Sequence, residues 1–151
     1  MQLTLHTDYS LRVLIYLAQK GDALATITEV ANFYDISRNH LVKVVHHLAG
    51  ARFIQTIRGK NGGMRLARPP EEISVGDVVR HMEPNFNIVE CFDAGNRPCT
   101  VSSVCALKGA LRKASDEFLS QLDGYTLAEA VLPGSPREVV FPLDKLTRDG
   151  L

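Results

Sequence analysis

Two residues, Asp35 and Ile36, are all that separate a helical segment ending at Tyr34 from the next, which opens with Ser37-Arg38-Asn39-His40. So tight a link narrows the folds open to this chain more than any other feature. On the second segment Leu41, Val44, Val45 and Leu48 recur at helical spacing and predict a buried face. Ser37 is its expected N-cap, and the helix should run to about Ala49, where Gly50 supplies the stop. The first segment is expected over Glu29 to Tyr34, capped by Thr28, with Val30, Ala31 and Phe33 on its buried side. Ahead of both, Thr7 and Asp8 precede apolar positions at Leu11, Leu14, Ile15, Leu17 and Ala18, which predict an earlier helix ending at Gly21.

Two helices in this order have the dimensions of a helix-turn-helix, whose second helix offers its N-terminal residues to base edges. Charge supports that expectation despite an overall balance of 17 basic and 17 acidic residues. From Ile36 to Arg68 there is no acid, against Arg38, Lys43, Arg52, Arg58, Lys60, Arg65 and Arg68, and acids return at once in Glu71 and Glu72. Such asymmetry concentrates positive potential on one part of the surface; alone, it would also fit a solvated basic face. Ser37, Arg38, Asn39, His40 and Lys43 are the candidate contacts on the second helix, Arg suiting guanine, Asn adenine, and hydroxyls or Lys phosphate. His46 and His47, adjacent and so pointing apart, are expected to have surface or packing roles.

Strand formers at Phe53, Ile54, Thr56 and Ile57 and again from Met64 to Ala67 predict a hairpin, with Arg58-Gly59-Lys60-Asn61-Gly62-Gly63 as its tip. After a helix-turn-helix this is the expected wing, with Arg58, Lys60 and Asn61 within reach of phosphates or the minor groove. The tip alone would also fit an ordinary exposed hairpin, and a nucleotide phosphate loop is a weak alternative, since no GxxxxGK[ST] pattern follows a strand and opens a helix. Ser74 begins another helix with Val75, Val78, Val79 and Met82 on one face, ending by Pro84. Farther on, Val104, Leu107, Leu111, Ala114 and Phe118 keep heptad spacing, with Leu122 following. That stripe suits a helix packed on its own domain or, as preferred, a dimerisation helix. Thr126 caps a short helix from Leu127 to Val131, and Pro133, Gly134 and Pro136 introduce a tail expected to be mobile.

Every cysteine lies between the last two long helices, at Cys91, Cys99 and Cys105. Three thiols cannot all pair within one subunit, so metal or redox chemistry competes here with a role as small core hydrophobes. The longest apolar run, Val13 to Ala18, is too short for a membrane span and lacks the flanks of a signal peptide, so a cytoplasmic chain is expected. No nucleophile, base and orienting acid fall at suggestive spacing, which argues against an enzyme.

With these parts assembled, the chain resembles NsrR-type repressors, the nitric-oxide-sensing branch of a family of dimeric winged-helix regulators that carry iron-sulfur clusters. The likeness extends to about Val131 and rests on MQLTLHTDYSLRVLIYLA, DISRNHLVKVV, IRGKNGGMRL, VGDVVRHMEP and the three cysteines ahead of a long helix. It implies a mainly α fold: a winged helix-turn-helix domain over residues 1–84 with a β-hairpin wing, and a cysteine-rich cluster-binding loop over 85–106. A dimerisation helix and short helix over 104–131 and a tail over 132–151 would complete it. Carried over by position, it makes Cys91, Cys99 and Cys105 ligands of an iron-sulfur cluster, 4Fe-4S favoured over 2Fe-2S. Asp8 of the partner subunit would be the fourth ligand, with Arg12 as coupling residue. The related regulator IscR uses a histidine shortly after the last cysteine, where this chain has Leu107 and Lys108. The implied function is repression of a palindromic double-stranded DNA operator by a homodimer, relieved when nitric oxide attacks the cluster and frees Asp8. A sensor of cluster supply or thiol redox state is the alternative within regulation, and a cluster carrier the alternative outside it.

Overall fold

A computed structural model of the chain describes residues 2–95 and 99–131; the expectation of a mobile tail lies outside them. The order is α1 (Leu5–Lys20), α2 (Ile27–Tyr34), α3 (Arg38–Gly50), β1 (Ile54–Ile57), β2 (Gly63–Leu66), α4 (Val75–Met82), α5 (Ala106–Asp123) and α6 (Leu127–Val131). The mainly helical winged architecture is as anticipated. No helix among the described residues is long and apolar enough to cross a membrane.

The core is one cluster. Val13, Leu14 and Leu17 of α1 meet Val30 of α2, the full Leu41, Val44, Val45 and Leu48 stripe of α3, Phe53, Ile73 and Val78. At about 25 cal/mol per Å² of apolar surface removed from water, each of these side chains contributes on the order of 1.5–3 kcal/mol. Leu127 of α6 belongs to the same cluster, so the short last helix folds back against α1.

Several local expectations are corrected. Helix α1 starts earlier, with Thr4 as the cap whose hydroxyl accepts from the Thr7 amide, so Thr7 and Asp8 lie inside its first turn. In α2 the cap is Thr26 and not Thr28: the Thr26 hydroxyl accepts from the Glu29 amide and the Glu29 carboxylate accepts from the Thr26 amide. That reciprocal pair satisfies two otherwise orphaned N–H groups, which a cap at Thr28 could not do with Glu29. Phe33 is not buried; it stays 38% exposed, packed edge-on against Tyr16 and Tyr34. Ser37 occupies the N-cap of α3 but makes no side-chain cap bond, and its carbonyl accepts from His40 and Leu41. Gly50 is still helical; the chain turns instead at Arg52, φ +61, a left-handed residue that costs about 1–2 kcal/mol without glycine. Asp35, φ +53, makes the corresponding turn between α2 and α3, where a short polar side chain tolerates it better.

The wing is antiparallel, with Ile54 opposite Leu66 and Ile57 opposite Gly63. It gains a third contact the sequence did not announce: Ala25 and Met64 exchange amide bonds at 2.9 and 2.8 Å, tying the wing to the turn before α2. Gly59, φ +113, supplies the conformation its tip requires.

Helix α5 divides into two halves. Its C-terminal half packs on α4, where Asp123 pairs with Arg80, and a Cβ at Gly76 would come within 2.7 Å of the Asp123 nitrogen. The residues it buries are Ser115 and Leu119, not the heptad stripe. Val104 precedes the helix and is 82% exposed, and Leu107 in its first turn is 65% exposed. The stripe's leading residues are therefore uncovered, while Phe118 and Leu122 are half-buried.

Candidate nucleic-acid interface and cysteine segment

Ser37 at the N-cap and Arg38, Asn39, His40 and Lys43 in the first turns of α3 are all exposed, and Arg58, Lys60 and Asn61 are exposed at the wing tip. This arrangement follows from helical periodicity: burying positions 41, 44, 45 and 48 turns 39 and 43 outward. Among the described residues no carboxylate pairs with Arg38, Lys43, Arg58 or Lys60, whereas Arg12, Lys20, Arg68, Arg80 and Lys113 all have acidic partners. Among the same residues Arg52, Arg65, Lys108 and Arg112 also lack a carboxylate partner, so what marks this face is the clustering of unpaired cations at one helix start and one hairpin tip, which suits an anion.

Two neighbours of this face were missed in the sequence. Thr28, freed from capping, is exposed on α2 with its hydroxyl 3.4 Å from Arg38 Nε, and it orients the guanidinium. Tyr9 stacks on His40, with ring centroids 6.3 Å apart, so that His40 is held against α1. The misplaced cap concealed the first; the second joins segments too distant for any local pattern. His47 has the anticipated packing role, its Nδ1 3.0 Å from His6 Nε2. Burial and the neighbouring His47 hold His6 below the usual imidazole range, with Glu83 acting in the opposite sense.

Asp8 is half-buried on α1 and pairs with Arg12 at 2.9 Å. The Arg12 guanidinium also lies 6.0 Å from the Tyr9 ring centroid and 5.8 Å from that of Tyr34, linking α1 to the end of α2. One turn away, Glu83 accepts from the Thr4 amide and hydroxyl and from the Thr7 hydroxyl, fastening the start of α1 to the end of α4. A cleft of about 430 Å³ opens beside it between Leu3, Phe86, Ile88 and Phe118. Its lining includes the Ser115 hydroxyl but no His, Cys or Lys, and the one carboxylate in it, Glu83, is already committed to the threonines.

All three cysteines are free thiols. Cys91 sits in a single 3-10 turn, Glu90–Phe92, half-buried; Cys99 is exposed; Cys105 is half-buried and caps α5, its sulfur accepting from the Lys108 amide at 3.4 Å. The Lys108 ammonium is 2.6 Å from Ser102 Oγ, and the Arg112 guanidinium lies 4.1 Å over the ring of Phe92. Among the described residues no three His, Cys, Asp or Glu side chains stand together as a metal set. The donors nevertheless suit an iron-sulfur cluster, which is held by thiolates, and none is consumed by a disulfide.

A winged helix-turn-helix with unpaired cations on its second helix and wing defines the class as a DNA-binding regulator. Residues 3–132 match the Rrf2 family, described as "Iron-dependent Transcriptional regulator", and the chain belongs to that family. It is a transcriptional regulator and not an enzyme. It is 50% identical over 132 residues to the HTH-type transcriptional regulator NsrR of Bacillus subtilis, covering 87% of this chain and 90% of the relative. Against NsrR of Bacillus licheniformis it is 48% identical over 133 residues, covering 87% and 93%. Among solved structures it resembles CymR, the global cysteine regulator of B. subtilis, with a TM-score of 0.70 at 26% identity over 87% of this chain and 96% of that one. The fold is shared also with T. potens IscR, TM-score 0.68 at 24% identity, over 87% and 86% of the two chains.

Proposed function

We propose that this regulator is a cytoplasmic homodimeric repressor of a palindromic operator, and that nitric oxide lifts repression by attacking an iron-sulfur cluster. The observation that carries the proposal is the set of three free thiols between the winged domain and α5, in a chain about half identical to regulators called NsrR. Cys91, Cys99 and Cys105 would hold the cluster, 4Fe-4S favoured over 2Fe-2S. Asp8 of the partner subunit, whose carboxylate has the required chemistry, would be the fourth ligand; among the described residues of one protomer no three His, Cys, Asp or Glu side chains stand together. When bound, the cluster supplies an iron with incomplete thiolate ligation, open to nitric oxide.

The chain's own residues supply the rest. Two copies joined along the uncovered Val104 and Leu107 stripe would set two α3 helices in successive major grooves, matching a palindromic site. Arg38 and Asn39 read base edges, Ser37, His40 and Lys43 support them, and Arg58, Lys60 and Asn61 hold the backbone or minor groove. Asp8 has two alternatives, a ligand role or its pair with Arg12. Because Arg12 also touches Tyr9 and Tyr34, and Tyr9 stacks on His40, the choice is felt at the start of α3.

Iron and sulfide analysis with visible spectra of anaerobically purified protein tests the cofactor. Titration with nitric oxide while following operator retention tests the coupling. Colourless, iron-free protein would remove the cluster, and unchanged retention as the cluster is consumed would remove the signal.

A further inference from the structure

Cys105, Lys108 and Arg112 fall at i, i+3 and i+7 of α5 and so form one stripe on the helix. Each grips a different part of the cysteine segment. Cys105 belongs to the segment itself as the helix cap, the Lys108 ammonium holds Ser102 between the second and third thiols, and the Arg112 guanidinium carbon stands over Phe92, 4.1 Å from its ring centroid. Phe92 adjoins Cys91 and, at 9% exposure, is the one apolar side chain buried among the described residues between Met82 and Leu119. The segment is thus anchored at both ends to a single helix face, and one of the two anchors is a cation on an aromatic ring.

We infer that Arg112 and Lys108 are positioning residues for the cluster: acting through Phe92 and Ser102, they hold Cys91 and Cys105 on the same side of α5 before iron arrives and place two positive charges beside the thiolates. The inference rests on the cluster reading above, but its mechanical half concerns the apoprotein alone. Arg is suited to both tasks, since its planar guanidinium keeps aromatic contact that a Lys ammonium makes less well. Once the thiols are deprotonated to bind iron, the ligand set is anionic, and the nearby cations offset the mutual repulsion of its sulfurs.

The test compares the wild-type protein with Arg112→Met, which keeps the length but not the charge or plane, and Arg112→Lys, which keeps the charge alone. In apoprotein, iodoacetamide labelling of each cysteine is followed by peptide mass spectrometry, with exposed Cys99 as internal reference. Loss of a cation–π contact should speed Cys91 labelling relative to Cys99 by about threefold to tenfold in Arg112→Met. In reconstituted protein, cluster loss to an iron chelator should quicken by a similar factor, and Arg112→Lys should recover part of that second effect while recovering little of the first. Equal Cys91 labelling in all three proteins, with unchanged melting temperatures, would overturn the positioning role. If the wild-type protein binds no cluster, the function proposed above fails, and the labelling ratio still decides whether Arg112 holds the segment.

Discussion

From Leu5 to Met82 nearly every helix sends a full stripe of side chains into one core, and the turns between helices are fixed by caps such as the Thr26–Glu29 pair. From Glu83 to Cys105 the described residues bury Phe92 alone, yet this segment carries all three thiols. The contrast separates two jobs. A surface that reads DNA must keep Arg38 and the wing tip in fixed relation, and dense packing supplies that rigidity. A sensing segment gains from having little intrinsic stability, because the free energy of ligand binding can then decide its conformation.

The comparison breaks most readily in the core. Phe53→Ala should destabilise the protein by about 3–5 kcal/mol, read from urea denaturation, and should abolish DNA binding by unfolding the winged domain. A loss below about 1 kcal/mol would mean that the two regions differ less in packing than they do in burial.

Next come the residues proposed to contact DNA, whose loss should spare stability. Arg38→Ala or Asn39→Ala should cost about 1–3 kcal/mol on the operator and relax base preference there. Arg58→Ala or Lys60→Ala should weaken binding to all sequences and reduce the salt slope by about 1 each. Binding curves on operator and random duplex across a salt series distinguish the two classes, and equal losses on both DNAs for all four would dissolve the division of labour.

Caps and a half-buried acid give smaller, sharper effects. Thr26→Ala should lower stability by about 1 kcal/mol through the lost capping box. Around Glu29, burial disfavours the charge, but hydrogen bonds from Lys20, Tyr16 and the Thr26 amide outweigh it and hold the carboxyl below its ordinary value. A depressed folded value means that this contribution is present above the unfolded value and is lost as pH falls through the folded one. Glu29→Gln should therefore be less stable near neutrality and flatten the acid side of the melting-temperature profile; a parallel profile would rule out that linkage.

The smallest stability change belongs to the cysteine segment. Cys99→Ser should leave the apoprotein within about 0.5 kcal/mol of wild type while preventing cluster retention. Should it destabilise apoprotein as a core substitution does, the segment would have to be regarded as part of the fold.

Much of this was legible in the chain because it is local. The α3 stripe, the hairpin and the Ser74 cap of α4 each depend on residues within a few positions of one another, where periodicity and turn chemistry act directly. Thr26 and Thr28 fit the composition of a cap equally, and only the reach of Glu29 distinguishes them. The hydrophobicity of Phe33 suits a core position, but the short α2 buries only Val30 and Ala31.

The sequence by itself determined the winged helix-turn-helix, its acid-free reading face and the three thiols available to iron, since each is written in spacing and residue type. Tertiary structure alone decided that α5 packs through Ser115 and Leu119 and leaves Val104 and Leu107 uncovered, that Tyr9 meets His40, and that Arg112 lies on Phe92. Those contacts join residues far apart in the chain or choose among faces that one helix presents equally well, and only the shape of the packed core makes the choice.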